Sequence, residues 1–169
     1  KYDNAHFIVV DDSISALQNI AKNFRHTFSY PILSITGSNG KTIVKEWIYF
    51  LLSEDFSIVR SPKSYNSQIG VPLSVCLMSD NYNLGIFEAG ISEPGEMQRL
   101  EAVLKPTYGL FTNIGNAHQE FFSSSDEKIA EKCKLFVNCT SVVCCADHGG
   151  IINQFRKQNS SSSLFTWSI

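Results

Sequence analysis

A short glycine-rich stretch at positions 36–42, Thr-Gly-Ser-Asn-Gly-Lys-Thr, contains the residues with the clearest chemistry. It follows the apolar run 32–35 and precedes a helical pattern. Such a turn binds phosphate, because its backbone N–H groups are exposed at a helix N-terminus. Lys41 would place a cation near the β- and γ-phosphates, and the Thr42 hydroxyl would bind Mg²⁺. Position 35 is isoleucine, so the stretch is a shorter variant of GxxxxGK[ST]; the alternative is a chance Gly-Lys-Thr at a strand–helix turn.

Two further polar residues follow apolar runs that are typical of strands. Glu88 ends the run 84–87, and a carboxylate at the carboxyl end of a parallel strand faces the ligand crevice of such folds. We therefore expect Glu88 to hold Mg²⁺, whereas a solvated acid is the alternative. His118 ends the segment 112–118 and could be a metal ligand or a phosphate contact, although a lone histidine is more often a surface or packed residue.

Two lysines and an amide-rich loop are weaker candidates. Lys132 borders the apolar stripe of a predicted helix, with Lys134 two residues further along. Taken alone, both lysines are typical of a solvated helix face. The loop 65–72 contains Asn66 and could contact a ligand, but by itself it is only a turn.

Apolar runs that alternate with helical patterns would position these residues. The predicted strands are Ile32–Thr36, Ser57–Arg60, Leu84–Glu88, Tyr108–Asn113, Ser141–Ala146 and Leu164–Trp167. The predicted helices are Ser13–Phe28, Lys41–Ser53, Ser67–Met78, Pro94–Leu104, Asp126–Asn138 and Gly150–Lys157. Pro72 predicts that the third helix is kinked or begins late.

This alternation predicts an α/β fold, a doubly wound, mostly parallel sheet with helices on both faces. Continuously apolar strands favour burial on both faces. The first helix would begin at Ser13 as N-cap and bury a stripe made of Ile14, Leu17, Ile20, Ala21 and Phe24. Residues 1–30 are thus predicted to be a lead-in helix from a preceding domain, and residues 31–169 the phosphate-binding domain.

Composition excludes several classes of protein. A net charge of −2 gives no support for nucleic-acid binding, and there is no apolar run of about 18 residues that would span a membrane. Five cysteines without a secretory signal indicate reduced thiols and a cytoplasmic protein. A zinc site at Cys139, Cys144, Cys145 and His148 is disfavoured, because the paired CxxC spacing is missing.

Five segments together resemble the central ATP-binding domain of the Mur ligases, whose fold is similar to that of P-loop NTPases. They are TGSNGKT, YNSQIGVP, FEAGISEPGEM, TNIGNAH and EKCKLF, in that order, within residues 9–136. YNSQIGVP and FEAGISEPGEM are most similar to the branch that adds D-alanyl-D-alanine, and within it to a subgroup fused to an alanine racemase.

The resemblance implies roles for individual residues. Thr36, Gly37, Ser38, Asn39, Gly40, Lys41, Thr42, Asn66 and Asn113 would bind ATP. Thr42 and Glu88 would bind one Mg²⁺ and His118 a second. Lys132 would be carbamylated by CO₂ and become an anionic metal ligand, with Lys134 as the nearby competitor. Lys41, Glu88, His118 and Lys132 would form the catalytic set.

The resemblance also implies an activity, the ATP-dependent joining of D-alanyl-D-alanine to a UDP-linked muramoyl tripeptide through an acyl phosphate. The alternatives are another ligase of this superfamily, such as a folylpolyglutamate synthase, a P-loop NTPase or small-molecule kinase, or a non-catalytic domain that keeps the fold. The resemblance covers neither of the family's two substrate-binding domains, and the family's central domain normally continues beyond the equivalent of position 169. We therefore expect the chain to need flanking domains of the same polypeptide and to be inactive alone.

Overall fold

The computed structural model describes residues 6–115, 121–158 and 162–168. Its centre is a six-stranded sheet of order β2-β3-β1-β4-β5-β6, in which every neighbouring pair is parallel. The strands are β1 (Ile32–Thr36), β2 (Ile58–Arg60), β3 (Leu84–Glu88), β4 (Tyr108–Phe111), β5 (Ser141–Cys145) and β6 (Ser163–Trp167). All six predicted strands are confirmed, with ends that differ by up to two residues.

Helices connect the strands. They are α1 (Ser13–Arg25), α2 (Lys41–Leu52), α3 (Gly70–Val75), α4 (Glu96–Leu104), α5 (Ser125–Cys133) and α6 (Gly149–Gln158), and a 3₁₀ turn, Lys134–Phe136, continues α5. No helix in the described part of the chain is long and apolar enough to cross a membrane.

The sheet separates two apolar clusters, which confirms helices on both of its faces. Val44, Ile48 and Leu52 of α2 pack against a cluster made from Ile35, Ile58, Leu84 and Ile86. The larger cluster includes residues of α1, α3, α4, α5 and α6. This asymmetry follows from right-handed crossovers, because only the β1–β2 connection runs in the opposite direction along the sheet from the others.

The first helix differs from its predicted form. Its N-cap is Asp12 and not Ser13, because the Asp12 carboxylate accepts hydrogen bonds from the N–H groups of Ile14, at 3.0 Å, and Ser15, at 3.3 Å. The predicted apolar stripe is confirmed at Ala21, which is fully buried, but not at Ile20, which is 60% exposed. The other buried side chains of α1 are polar, Gln18 and Arg25.

Hydrogen bonds of these two polar residues explain why that side of α1 is buried. Arg25 Nε donates to the carbonyl oxygen of Leu104 at 3.0 Å, and Gln18 Nε2 donates to Gln68 Oε1 at 2.9 Å. Buried polar groups are tolerated only where such partners exist. The helix therefore docks on α4 and on the loop before α3 through polar contacts that apolar periodicity does not reveal.

Two helix starts also depend on local geometry. The helix around Pro72 begins late, at Gly70, whose N–H donates to Ser67 Oγ at 3.1 Å. Helix α4 begins at Glu96 and not at Pro94, because Gly95 caps it in the left-handed conformation with φ 86°. The Glu131 carboxylate accepts hydrogen bonds from Gly95 N, at 2.8 Å, and from Met97 N.

Candidate active site

The carboxyl ends of β1, β3 and β4 meet at one edge of the sheet. Strand β1 lies between β3 and β4 in the sheet. After β1 the chain adds β2 and β3 on one side of it, and then adds β4, β5 and β6 on the other side. Ligands of open α/β sheets bind at such a switch point. The loop after β1, Glu88 at the end of β3 and the loop after β4 therefore form a single site.

The glycine-rich loop (residues 37–40) is fitted closely against the loop after β4. Gly37 has φ 144°, and a Cβ at this position would lie 1.9 Å from Thr112 Oγ1. The N–H of Ser38 donates to the carbonyl oxygen of Asn113 at 2.9 Å, and the N–H of Asn39 donates to Asn113 Oδ1 at 3.0 Å. Asn113, predicted to contact the cofactor, thus lies where it fixes the loop backbone.

Two more predicted cofactor residues make contacts within the protein. The hydroxyl of Thr36 is buried and donates to the carbonyl oxygen of Ala89 at 2.8 Å, which joins the ends of β1 and β3. Ser38 Oγ accepts from the N–H of Gly115 at 2.9 Å. These contacts hold the loop in shape, so the side chains act on a ligand through the backbone that they position.

Thr42, Glu88 and Asn66 form an oxygen-rich cluster beside the loop. Thr42 Oγ1 donates to Glu88 Oε2 at 3.0 Å, and Asn66 Nδ2 donates to the same oxygen at 3.3 Å. Glu88 is fully buried. A hydroxyl and a carboxylate are the hard oxygen donors that Mg²⁺ prefers, and Mg²⁺ commonly takes one carboxylate and completes its shell with phosphates and water. The donor set therefore fits Mg²⁺.

Lys41 and Lys132 converge on one carbonyl oxygen. Lys41 Nζ donates to Gly37 O at 2.9 Å, and Lys132 Nζ donates to the same atom at 3.4 Å. Burial lowers the pKa of Lys41 below its ordinary value, and the negative charge of Glu88 offsets only part of that effect. Burial, and then the positive charges of Lys41 and Lys128, lower the pKa of Lys132 to about 7. The glycine-rich loop thus has a buried amine on each of two helices within hydrogen-bonding distance of one of its carbonyl oxygens.

The structure separates the two lysines of α5 and its 3₁₀ turn. Lys132 is 3% exposed and lies against the glycine-rich loop. Lys134 points away, and its Nζ pairs with Glu131 Oε2 at 2.5 Å. Of the two, only Lys132 reaches the site.

Two buried lysines next to the site were missed in the sequence. Lys45 is fully buried, and its Nζ lies 3.0 Å from Glu88 Oε1. Lys128 is 1% exposed, and its Nζ donates to Gly115 O at 2.5 Å. The available indication was spacing, because Lys45 follows Lys41 by four residues and Lys128 precedes Lys132 by four, which places each pair on one helix face.

A cleft of about 360 Å³ opens beside these groups. Gly37, Lys41 and Lys132 line one side, and the loop 66–69 with Ser92 and Glu96 lines the other. Ile14, Ile69 and Ile91 also line the cleft, so it places the two amines beside a surface of mixed polar and apolar side chains.

His118, predicted to bind a second metal ion, lies outside the described residues. Among the described residues no group of three or more His, Cys, Asp or Glu side chains could hold a metal ion. All five cysteines are free thiols. The Thr42–Glu88 pair is therefore the candidate metal position that the described geometry offers.

Comparison with known proteins agrees with this geometry. Residues 35–168 match the Mur ligase middle domain. The chain is 37% identical over 136 residues to the UDP-N-acetylmuramoyl-tripeptide–D-alanyl-D-alanine ligase of Rickettsia prowazekii, which covers 80% of this chain and 30% of that protein. It is 35% identical over 136 residues to the ligase of the same name from Bacillus subtilis, with the same coverage of both chains.

A solved structure shows the same fold. The MurF ligase of Thermotoga maritima in complex with ADP superposes with a TM-score of 0.86 at 24% identity, over 98% of this chain and 39% of that one. The chain spans about 30% of the length of the two curated relatives. The family match nevertheless covers most of the residues and includes the phosphate loop, Glu88 and Lys132. The chain belongs to the Mur ligase family and contains its middle domain.

Proposed function

We propose that the polypeptide containing this chain is an ATP-dependent ligase that adds D-alanyl-D-alanine to a UDP-N-acetylmuramoyl tripeptide. The main supporting observation is the convergence of Lys41 and Lys132 on Gly37 O, beside the Thr42–Glu88 pair. A phosphate loop alone would also suit a simple NTPase or kinase. A second buried amine across the loop, which would become an anionic metal ligand when carbamylated, is an element that such enzymes do not need. The names of the two curated relatives support the choice of substrates.

Charge repulsion is the main obstacle to this reaction. The tripeptide carboxylate attacks the γ-phosphorus, and the bond from that phosphorus to the β–γ bridging oxygen breaks. The products of this step are ADP and an acyl phosphate of the tripeptide. The amine of D-alanyl-D-alanine then attacks the acyl carbon, loses a proton and displaces phosphate. In our proposal Lys41 and the N–H groups of the first turn of α2 stabilise the charge on the phosphates, since those N–H groups have no acceptor within the helix.

The oxygen donors would hold the metal. Thr42 and Glu88 would hold one Mg²⁺, and His118 with carbamylated Lys132 a second. When bound, Mg²⁺ polarises the phosphoryl oxygens and orients the attacking and leaving groups. Asn66 Nδ2 donates to Glu88 Oε2 at 3.3 Å, and this hydrogen bond would keep that oxygen directed toward Thr42. Gly37–Thr42 would surround the β- and γ-phosphates.

Carbamylation of Lys132 is favoured by its surroundings. A neutral amine forms the N–C bond with CO₂ and releases one proton, which leaves an anionic carbamate. A pKa of about 7 makes the neutral amine abundant near physiological pH. The carbamate would also turn a costly buried cation into an anion beside Lys41, Lys128 and Mg²⁺.

Other parts of the polypeptide would bind the two substrates. The curated relatives are more than twice as long as this chain, which leaves room for substrate domains on either side. We therefore propose that the 169-residue chain alone does not turn over. Ligation by the isolated chain would contradict this.

The direct test is ATP-dependent phosphate release by the full-length polypeptide. Release should require both the UDP-linked tripeptide and D-alanyl-D-alanine, and Glu88→Ala should abolish it. Glu54→Ala is the matched control, because the same change is made at an exposed carboxylate in the turn after α2. If ATP binds but neither substrate stimulates release, the substrate assignment is wrong, and other amino acids and folates should be tried. If the intact protein does not bind Mg-ATP, the enzyme proposal fails.

A further inference from the structure

Lys45 is a charged residue in a place where no ligand can reach it. It lies on the sheet-facing side of α2 and is fully buried. Lys41, one turn earlier, faces the cleft, whereas Lys45 lies below the loop and has no exposed surface. A buried cation is costly unless it is paired and hydrogen-bonded, so its partners should indicate its role.

Those partners connect three segments of the site. Lys45 Nζ donates to the carbonyl oxygen of Ser61 at 2.8 Å and also to the carbonyl oxygen of Lys63, both in the segment after β2. The same nitrogen lies 3.0 Å from Glu88 Oε1 at the end of β3 and 3.2 Å from Glu46 Oε1. Glu46 is 42% exposed, whereas Glu88 is fully buried. The pair with Glu88 is therefore the one shielded from water.

The two oxygens of Glu88 have different neighbours. Oε1 lies against Lys45, while Oε2 accepts hydrogen bonds from Thr42 and Asn66. The N–H of Glu88 donates to Ser61 Oγ at 3.1 Å, so its backbone is held by the segment after β2, while Lys45 of α2 holds its carboxylate. Fixing Oε1 leaves Oε2 as the oxygen that faces Thr42 and the phosphate loop.

We propose that Lys45 is a positioning residue that holds Glu88 in the orientation needed to bind Mg²⁺ before the metal arrives. This rests on the proposed function, because it assumes that Glu88 is a metal ligand. Lys45 acts only through Glu88 and contacts neither nucleotide nor substrate. Partners that orient a ligating carboxylate typically change metal affinity by about 10- to 100-fold when they are removed.

The test measures the Mg²⁺ concentration that gives half-maximal ATP binding to the full-length polypeptide. Lys45→Met should raise it by about tenfold or more. Glu46→Gln is the control, because it weakens the exposed ion pairs of Glu46 with Lys45 and Arg60 but leaves the buried pair with Glu88, and it should leave the midpoint unchanged. A folded Lys45→Met variant with the wild-type midpoint would overturn the proposal.

A double-mutant cycle separates positioning from a general effect on folding. In a Glu88→Gln background Lys45→Met should change the midpoint by no more than about twofold, because the residue through which it acts has been altered. Equal shifts in both backgrounds would overturn the proposal. The double variant has neither member of the buried ion pair, so this comparison remains informative if Lys45→Met alone does not fold.

The same data distinguish this proposal from the proposed function. If Glu88→Gln itself leaves the Mg²⁺ midpoint unchanged, Glu88 is not a metal ligand, and both the metal site and the role of Lys45 are wrong. If Glu88→Gln raises the midpoint and Lys45→Met does not, only the role of Lys45 is wrong. Ligase turnover is not the readout, so an incorrect choice of substrate would not affect either result.

Discussion

Gly37→Ala should disable the phosphate loop through a single methyl group. The new Cβ would lie 1.9 Å from Thr112 Oγ1, whereas real Cβ atoms essentially never approach another heavy atom more closely than 3.0 Å. The two atoms must therefore move apart by about 1 Å, which typically costs about 1–3 kcal/mol in a packed region. The φ of 144° adds backbone strain of about 1–3 kcal/mol, since it is open mainly to glycine.

The consequence for activity follows from that displacement. The strand ends and the loop are joined by the Thr112 hydroxyl, which donates to the carbonyl oxygen of Asn39 at 2.7 Å, so pushing it away moves the loop. A misplacement of about 1 Å commonly costs about 100-fold in rate. We expect Gly37→Ala to lower ATP-dependent phosphate release by about that factor, measured under steady-state conditions with the full-length polypeptide.

Two comparisons make this prediction specific. Gly95→Ala places a methyl group at φ 86° with no heavy atom within 4 Å, so it introduces the strain without the clash and should retain activity. Adding Thr112→Ala to Gly37→Ala removes the clashing oxygen and should recover part of the lost activity. Wild-type activity and Mg-ATP affinity in Gly37→Ala would refute the reasoning.

Three further predictions concern single side chains. Lys41→Ala should reduce phosphate release by at least about 100-fold, by analogy with the loss of one transition-state donor; near-normal steady-state turnover would contradict its role. CO₂ reacts only with a neutral amine, and burial and Lys41 lower the pKa of Lys132 to about 7. The carbamate, followed by NMR with isotopically labelled CO₂, should therefore increase as pH rises through 7 and be absent in Lys132→Met; an unmodified Lys132 at every pH would count against it. A maleimide should label Cys76 alone among the five cysteines of this chain in the native protein, because the other four are buried and burial raises the pKa of Cys133 to about 12; peptide mapping that finds a buried thiol labelled would show that the core opens.

Much of the fold could be predicted because strand formation in this sheet depends on local composition. Each strand is a short, mostly apolar run bounded by loop residues, and such runs are typical of parallel sheets covered on both faces. Helix ends were less predictable. Asp12 and Gly95 replace the predicted starts, and their capping depends on a side-chain position and a φ angle that composition does not specify.

The candidate site was predictable in part for the same reason. Lys41 and Thr42 lie in a contiguous stretch whose role follows from a strand, a glycine-rich turn and a helix in sequence. Glu88 was found because it ends a strand. Lys45 was missed because a lysine in an apolar helix has the same local pattern whether it is solvated or paired with a carboxylate on another strand.

The sequence by itself determined the order of strands and helices, the phosphate loop and the residue types available at the carboxyl edge of the sheet. Tertiary structure alone decided which of those residues meet. Lys132 Nζ donates to the carbonyl oxygen of Gly37, which lies 95 residues earlier in the sequence. The side chain of Asn113 accepts a hydrogen bond from the N–H of Asn39, which lies 74 residues earlier. Local preferences act within a few residues, whereas these contacts depend on how the strands pair and on which side of each helix is buried. Only the folded chain therefore distinguishes Lys132 from Lys134, and only in the folded chain does Lys45 become the partner of Glu88.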